Sequence, residues 1–262
     1  MLKLRSLAIE LTPRCNQQCV YCYNAWRGEP ASADSELSTD RLKTLVDRVL
    51  DQAELQRVTL TGGEPFLRED VFEIVDYLNG RDLAVAFISN GGVIGDEIAG
   101  HLASRRVDYV QITLAGPDAS THDAVCGAGS FERTTGAMRT LAAAGVAVGG
   151  SYLCTQHNAT MAREIYETML AAGARSHFAF NRFNPSGHAQ EHMVQLMPSR
   201  GDVLTALSAA DGFAAAHQCK VHCTMPIPRC MIQESDYPHI KFGQCAAGST
   251  AGEFAVDPHG RL

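Results

Sequence analysis

Apolar and polar residues alternate over residues 4–10 (LRSLAIE) and Thr12-Pro13 follow, the pattern of a half-buried strand that ends at a turn. Between residues 38 and 54 the period changes. Leu42, Leu45, Val46, Val49 and Leu50 recur at helical spacing, with Ser38 or Thr39 placed as the N-cap. Residues 57–61 form a second compact strand that runs into Gly62-Gly63-Glu64-Pro65, and a helix is predicted over 69–79. Further strands are predicted over 83–89, 107–114, 146–154 and 175–180, separated by helices over 96–104, 131–144 and 159–172. Such alternation predicts parallel βαβ units with right-handed crossovers, wrapped into a barrel or laid in an open sheet.

In a parallel barrel the chemistry sits at the C-terminal strand ends. Those ends are polar: Ser89-Asn90-Gly91, Thr113, Thr155 to Asn158, and Asn181-Arg182. Polar strand-end residues also serve as caps of the next helix, and Asn158 reads as one. Past a helix predicted over 199–218 the period is lost. Cys219, Cys223, Cys230 and Cys245 arrive among three prolines, and residues 253–256 followed by Asp257-Pro258-His259-Gly260 read as a strand entering a hairpin turn.

With 262 residues, 45% of them hydrophobic, the chain is long enough to bury a full core. A net charge of −7 and the lack of any Lys/Arg block exclude an electrostatic footprint for nucleic acid, and with it enzymes acting on tRNA or rRNA. No apolar run at the start is long enough for a signal peptide or a membrane span, so a cytoplasmic protein without a membrane partner is expected. Nine cysteines in that setting point to metal binding more than to disulfides, and Cys126 and Cys154 lie apart from the clusters.

Cys15, Cys19 and Cys22 follow the first strand with spacing C-x3-C-x2-C. Structural zinc closes its sphere with four protein ligands, whereas a [4Fe-4S] cluster held by three thiolates leaves one iron open. A zinc knuckle completed by a distant His or Cys, or a disulfide with one thiol left over, are the alternatives. The stretch resembles the signature C-x3-C-x-Φ-C of the radical S-adenosylmethionine (SAM) enzymes, with Tyr21 as the aromatic Φ. Gly62-Gly63-Glu64-Pro65, about forty residues on, is similar to that family's GGE(P) segment.

The resemblance implies an α/β fold, a partial (β/α)6 TIM-like barrel over residues 1–198, with a small cysteine-rich appendage over 199–262. It implies a [4Fe-4S] cluster on Cys15, Cys19 and Cys22, and SAM chelated to the open iron and cleaved by one electron to a 5'-deoxyadenosyl radical. Tyr21, Gly62, Gly63, Glu64, Pro65, Ser89, Asn90, Thr113 and Arg182 are the cofactor-binding candidates, Arg182 for the SAM carboxylate. Residues 121–132 resemble the family's "HDxxRGxxGSFE" with Cys126 where Arg is common, which makes Cys126 a candidate catalytic thiol or an inert packed one.

The tail resembles the SPASM extension, and Cys223, Cys230 and Cys245 fit the first ligands of an auxiliary [4Fe-4S] cluster. A four-cysteine zinc site that adds Cys219 is the other reading. Family members continue past this hairpin, so a truncated SPASM region is expected. SPASM relatives mostly modify peptides, and oxidative crosslinking or modification in peptide natural-product (RiPP) maturation is the expected function. A radical SAM dehydrogenase or epimerase, on a small molecule or peptide, and a non-catalytic Fe–S or zinc protein are the rivals. Expected partners are the substrate, a flavodoxin- or ferredoxin-type electron donor, and a separate leader-peptide-binding protein, since only three residues precede the first strand.

Overall fold

A computed structural model describes residues 4, 6–26, 36–228, 230–243 and 254–262. The chain alternates strand and helix in the order β1 (Ser6–Glu10), α1 (Thr39–Gln52), β2 (Arg57–Thr61), α2 (Val71–Gly80), β3 (Ala84–Ser89), α3 (Asp96–Ala103) and β4 (Val107–Leu114). It continues through α4 (Ala119–Cys126), α5 (Ser130–Ala143), β5 (Val148–Cys154), α6 (Ala162–Ala171) and β6 (Phe178–Arg182). Then come α7 (Met193–Leu196), α8 (Arg200–Ala216), β7 (Val221–Cys223), β8 (Ile240–Phe242) and β9 (Phe254–Val256).

The nine strands among the described residues lie in one sheet, in the order β8-β7-β6-β5-β4-β3-β2-β1-β9, and each of these pairings is parallel. The six strands expected from the pattern form its middle as the α/β barrel core. Three short strands extend it. β7 and β8 carry the sheet into the tail, where three-residue segments are too short to show alternation. β9 corrects the expected hairpin start: the turn forms, with Gly260 N–H on Asp257 C=O, but β9 itself pairs in parallel with β1.

Strand alternation sorts the residues into two faces. Leu7 and Ile9, Val58 and Leu60, Val85 and Phe87, Val110 and Ile112, and Tyr152 and Phe180 join the helices in one core. Thr113 and Ser151 are register partners on the opposite face, as are Leu153 and Asn181, and Asn181 donates to Ser151 Oγ at 2.9 Å. That face is the more polar of the two and lines the barrel interior.

Two more elements differ from the pattern. Residues 119–126, expected as a loop, form α4, capped by the Asp118 side chain on Thr121 N–H. Its buried positions are His122 and Cys126, which do not register as an apolar stripe. Arg182 closes β6 and does not follow it.

α8 packs on α6 through aromatic rings. Phe213 stacks on Tyr166 at 5.1 Å and meets Phe178 edge-on at 5.0 Å, while Tyr166 satisfies its hydroxyl on Ala179 C=O at 3.1 Å. Among the described residues no helix is long and apolar enough to cross a membrane. Phe213→Ala is expected to cost about 3–5 kcal/mol and lower the urea midpoint. Val194→Ala, at a side chain 87% exposed, is expected to stay within about 0.5 kcal/mol of the parent in the same measurement.

Candidate active site

The cysteine loop is built by two strand-end loops zipping together. Beyond β1 and β2 the ladder continues as Leu11 N–H to Thr61 C=O, Gly63 N–H to Thr12 C=O and Glu64 N–H to Arg14 C=O, each at 2.8 Å. Gly62 has φ +127°, and a Cβ there would stand 2.7 Å from Thr12 O. At Gly63 it would stand 2.1 Å from Arg14 O, so only glycine lets the loops close.

Three further bonds hold Cys15 to Cys22 over the strand ends. Val20 N–H donates to Val125 C=O at the end of α4, Cys22 N–H to Cys19 C=O, and Ala189 N–H to Cys22 C=O. Cys19 Sγ donates to Gln17 Oε1 at 3.2 Å, and Asn90 Nδ2 points at Cys15 Sγ, 3.6 Å away. Although the residue is exposed, desolvation of its thiol, then the proximity of Cys19, Glu64 and Cys22, pushes Cys15 up to about 11. A cation such as iron favours the thiolate form that ligation requires.

Glu64 is wholly buried, and neither it nor Pro65 lines the cavity beside the thiols. Its oxygens take Ser89 Oγ at 2.9 and 3.0 Å, Asn90 N–H at 2.9 Å and Phe66 N–H at 3.3 Å. Desolvation pushes its carboxyl up to about 7 in spite of these donors. Pro65 opens a short 3-10 turn behind it. Glu64 therefore sets the positions of Ser89 and Asn90.

The cavity, about 140 Å³, brings together Cys19, Tyr21, Cys22, Gly62, Gly63, Ser89, Asn90 and Thr113 from the expected set. Gln17, Tyr23, Asn24, Thr61 and Ile88 also line it and were missed. Gln17 and Asn24 are each 7% exposed, and Gln17 Nε2 and Asn24 Oδ1 have no partner. An unmet donor and an unmet acceptor on two cavity-lining residues fit a ligand carrying both complements, as an amino acid moiety does. Gln17 lies inside the cysteine motif and Asn24 two residues past it, and only that nearness could have signalled them. A second cavity of about 300 Å³, lined by Glu10, Trp26, Asp257 and Arg261, shares Tyr23 and Asn24 with the first.

The other candidates lie elsewhere. Arg182 Nε donates to Pro226 C=O at 3.3 Å and is not on the cavity wall. Cys126 is buried at the end of α4 with its Sγ 3.2 Å from Tyr21 Oη, so it reaches the cavity only through that ring. In the "HD" segment, Asp123 caps α5 through Gly129 N–H, Ser130 Oγ and Phe131 N–H. Burial holds His122 down to about 4, neutral, with Nδ1 accepting from Ala115 N–H. In the tail, Cys223 is buried in β7 with its thiol raised to about 12 by desolvation, Cys230 is exposed, and Cys245 lies outside the described residues.

A parallel α/β barrel core that carries a three-cysteine loop at its C-terminal strand ends, with Cys19 and Cys22 on an open cavity and Cys15 beside it, defines a class of enzyme that keeps a reactive group there. Residues 9–172 match the radical SAM superfamily, and the chain belongs to that family. Its cofactors are a [4Fe-4S] cluster and SAM, and the thiol loop and the two open polar atoms fit them.

The chain is 35% identical over 195 residues to the mycofactocin maturase MftC of Mycobacterium tuberculosis, covering 74% of this chain and 48% of that protein. It is 32% identical over 211 residues to the AdoMet-dependent heme synthase of Methanosarcina barkeri, covering 79% and 55%. The chain thus spans about half the length of the curated relatives it matches. The fold is that of Streptococcus suis SuiB, solved with precursor peptide SuiA, at TM-score 0.74 and 13% identity over 97% of this chain and 58% of SuiB. It is also that of anSMEcpe, solved with AdoMet and a Cp18Cys peptide, at TM-score 0.67 and 18% identity over 81% and 60%.

A carboxyl raised by folding gives a signed expectation. Between about 4.5 and about 7 the folded chain holds the Glu64 proton and the unfolded chain does not, so stability is full below that window and falls as pH rises through it. At about 1.4 kcal/mol per unit the loss approaches ~3 kcal/mol. Urea unfolding of the metal-free chain at pH 5 and pH 8 is expected to show this fall, and Glu64→Gln to remove most of it.

Proposed function

We propose that this chain is the catalytic barrel of an enzyme that oxidatively modifies a peptide side chain. The reading is carried by one observation: a three-thiol loop opens on a strand-end cavity whose walls, Gly62-Gly63, Ser89-Asn90, Gln17 and Asn24, present unfilled hydrogen-bonding capacity. Similarity to the mycofactocin maturase supports a maturation reaction, and a fold shared with SuiB, solved with its precursor peptide, is compatible with a peptide substrate. When bound, the cluster and SAM together supply a 5'-deoxyadenosyl radical that removes hydrogen from unactivated carbon.

The chain's own residues do the placing. Cys15, Cys19 and Cys22 hold the cluster, with Asn90 fixed beside Cys15 by its bond to Asn16 Oδ1 at 2.9 Å. The glycine pair lets backbone approach the ligand, and Asn24 Oδ1 and Gln17 Nε2 would serve as acceptor for its amino group and donor for its carboxylate. Thr113 and Ile88 line the wall on the barrel-interior side. Arg182 serves the carboxylate only after a swing from Pro226, so Gln17 is the better-placed donor. Burial of Cys126 behind Tyr21 disfavours a hydrogen donor at the substrate and so favours net oxidation over epimerisation. The reading includes an external one-electron donor of flavodoxin or ferredoxin type, a leader-binding partner, an auxiliary cluster from Cys223, Cys230 and Cys245, and a cytoplasmic setting.

With dithionite and SAM under anaerobic conditions the reconstituted chain is expected to release 5'-deoxyadenosine, and Cys19→Ala to fall to background. Continued release by Cys19→Ala sinks the cluster assignment. Turnover with a short peptide encoded beside the gene, followed by mass spectrometry, is expected to show loss of two hydrogens. An unchanged mass with deuterium uptake from heavy water would move the reading to epimerisation, and turnover only of a tetrapyrrole would move it to the small-molecule chemistry of the heme synthase relative.

A further inference from the structure

Residues 187–192 form a 3-10 turn after β6 that braces the cysteine loop. Gly187 (φ +55°) approaches so closely that a Cβ would stand 2.3 Å from Tyr23 O, and Ala189 N–H donates to Cys22 C=O at 2.9 Å. Ala189 and, seven residues on, Leu196 are buried with Phe183 in a small second core. With three residues per turn His188 and Glu191 share a face, and His192, at the end of the turn, brings its ring to that of His188. His188 Nδ1 is 3.6 Å from Glu191 Oε2, and the rings of His188 and His192 stand 5.2 Å apart at 72°. One ligand atom from each of the three lies within 4.8 Å of the others.

We propose that His188, Glu191 and His192 bind a divalent transition-metal ion, with zinc as the best fit. Two imidazoles and one carboxylate select zinc over magnesium or calcium, which prefer all-oxygen shells. Three protein ligands leave a fourth, open position for water or a ligand group. Zinc–nitrogen bonds of about 2.0–2.1 Å in a tetrahedron put ligand atoms roughly 3.3 Å apart, so small rotamer changes on a fixed backbone complete the site. The two histidines are half-buried and Glu191 is exposed, so an ion has access while the scaffold stays packed. The ion would lock the turn whose N–H holds Cys22. The proposal rests on these residues alone and does not depend on the reaction proposed above.

The test uses the full chain with its cluster in place, given zinc sulfate and desalted, and read at the zinc K-edge. About one zinc per chain with a nitrogen/oxygen shell near ~2.0 Å is expected. The double variant His188→Gln/His192→Gln is expected to lose it with the cluster absorbance unchanged. A sulfur shell near ~2.3 Å, which would place the ion on tail cysteines, overturns the proposal. So does no retained zinc, or the same nitrogen/oxygen shell in the double variant. Should the double variant lose the cluster, Glu191→Gln decides: zinc affinity down about tenfold or more against a chromophoric chelator supports the site, and unchanged affinity overturns it.

Discussion

The site depends on a single buried carboxylate. Glu64 sits where three strand-end loops converge, and its two oxygens tie the end of β2 to Ser89 Oγ, Asn90 N–H and Phe66 N–H. Asn90, so placed, reaches Asn16 and Cys15 in the cysteine loop. A charge with no water around it is costly, and the donors on its oxygens keep it tolerable. The carboxylate therefore acts at one remove, through the residues it positions, and needs no contact with a ligand to matter.

Around it the glycine pair removes the side chains that would hold the cysteine loop off the sheet. The loop's backbone then extends the ladder of β1 and β2 past the strands themselves. Two of the loop's backbone anchors come from far along the chain, from Val125 and Ala189. The thiols are thus held by the whole arc of the barrel, which suits a site that must keep a reactive group at fixed distance from a substrate.

Much of this was legible in the sequence because its signals are local. C-x3-C-x2-C, Gly-Gly-Glu-Pro and the strand–helix alternation each occupy a few residues, and they located Cys19, Cys22, Gly62, Gly63, Ser89, Asn90 and Thr113 on one cavity. What spacing does not encode is side-chain direction. Glu64 and Arg182 sit beside the right backbone but turn away from the cavity, and Cys126 is a helix end behind Tyr21. Gln17 and Asn24 went unseen because being buried without a partner is a property of the assembled loop, which no spacing encodes. β7 and β8 went unseen, and β9 was read as a strand without its place beside β1, because three-residue strands owe their existence to a neighbour already in place.

β1 is an inner strand because β9, remote from it in sequence, lies along its outer side. Without β9 the strand that leads into the thiol loop would be an open edge with free backbone donors and acceptors. β9, together with the contact of Leu37 N–H on Pro258 C=O, closes that flank. A loosening of β9 would therefore bare the flank of β1 while leaving its pairing with β2 in place, so the outer wall of the thiol loop is a separable part of the fold.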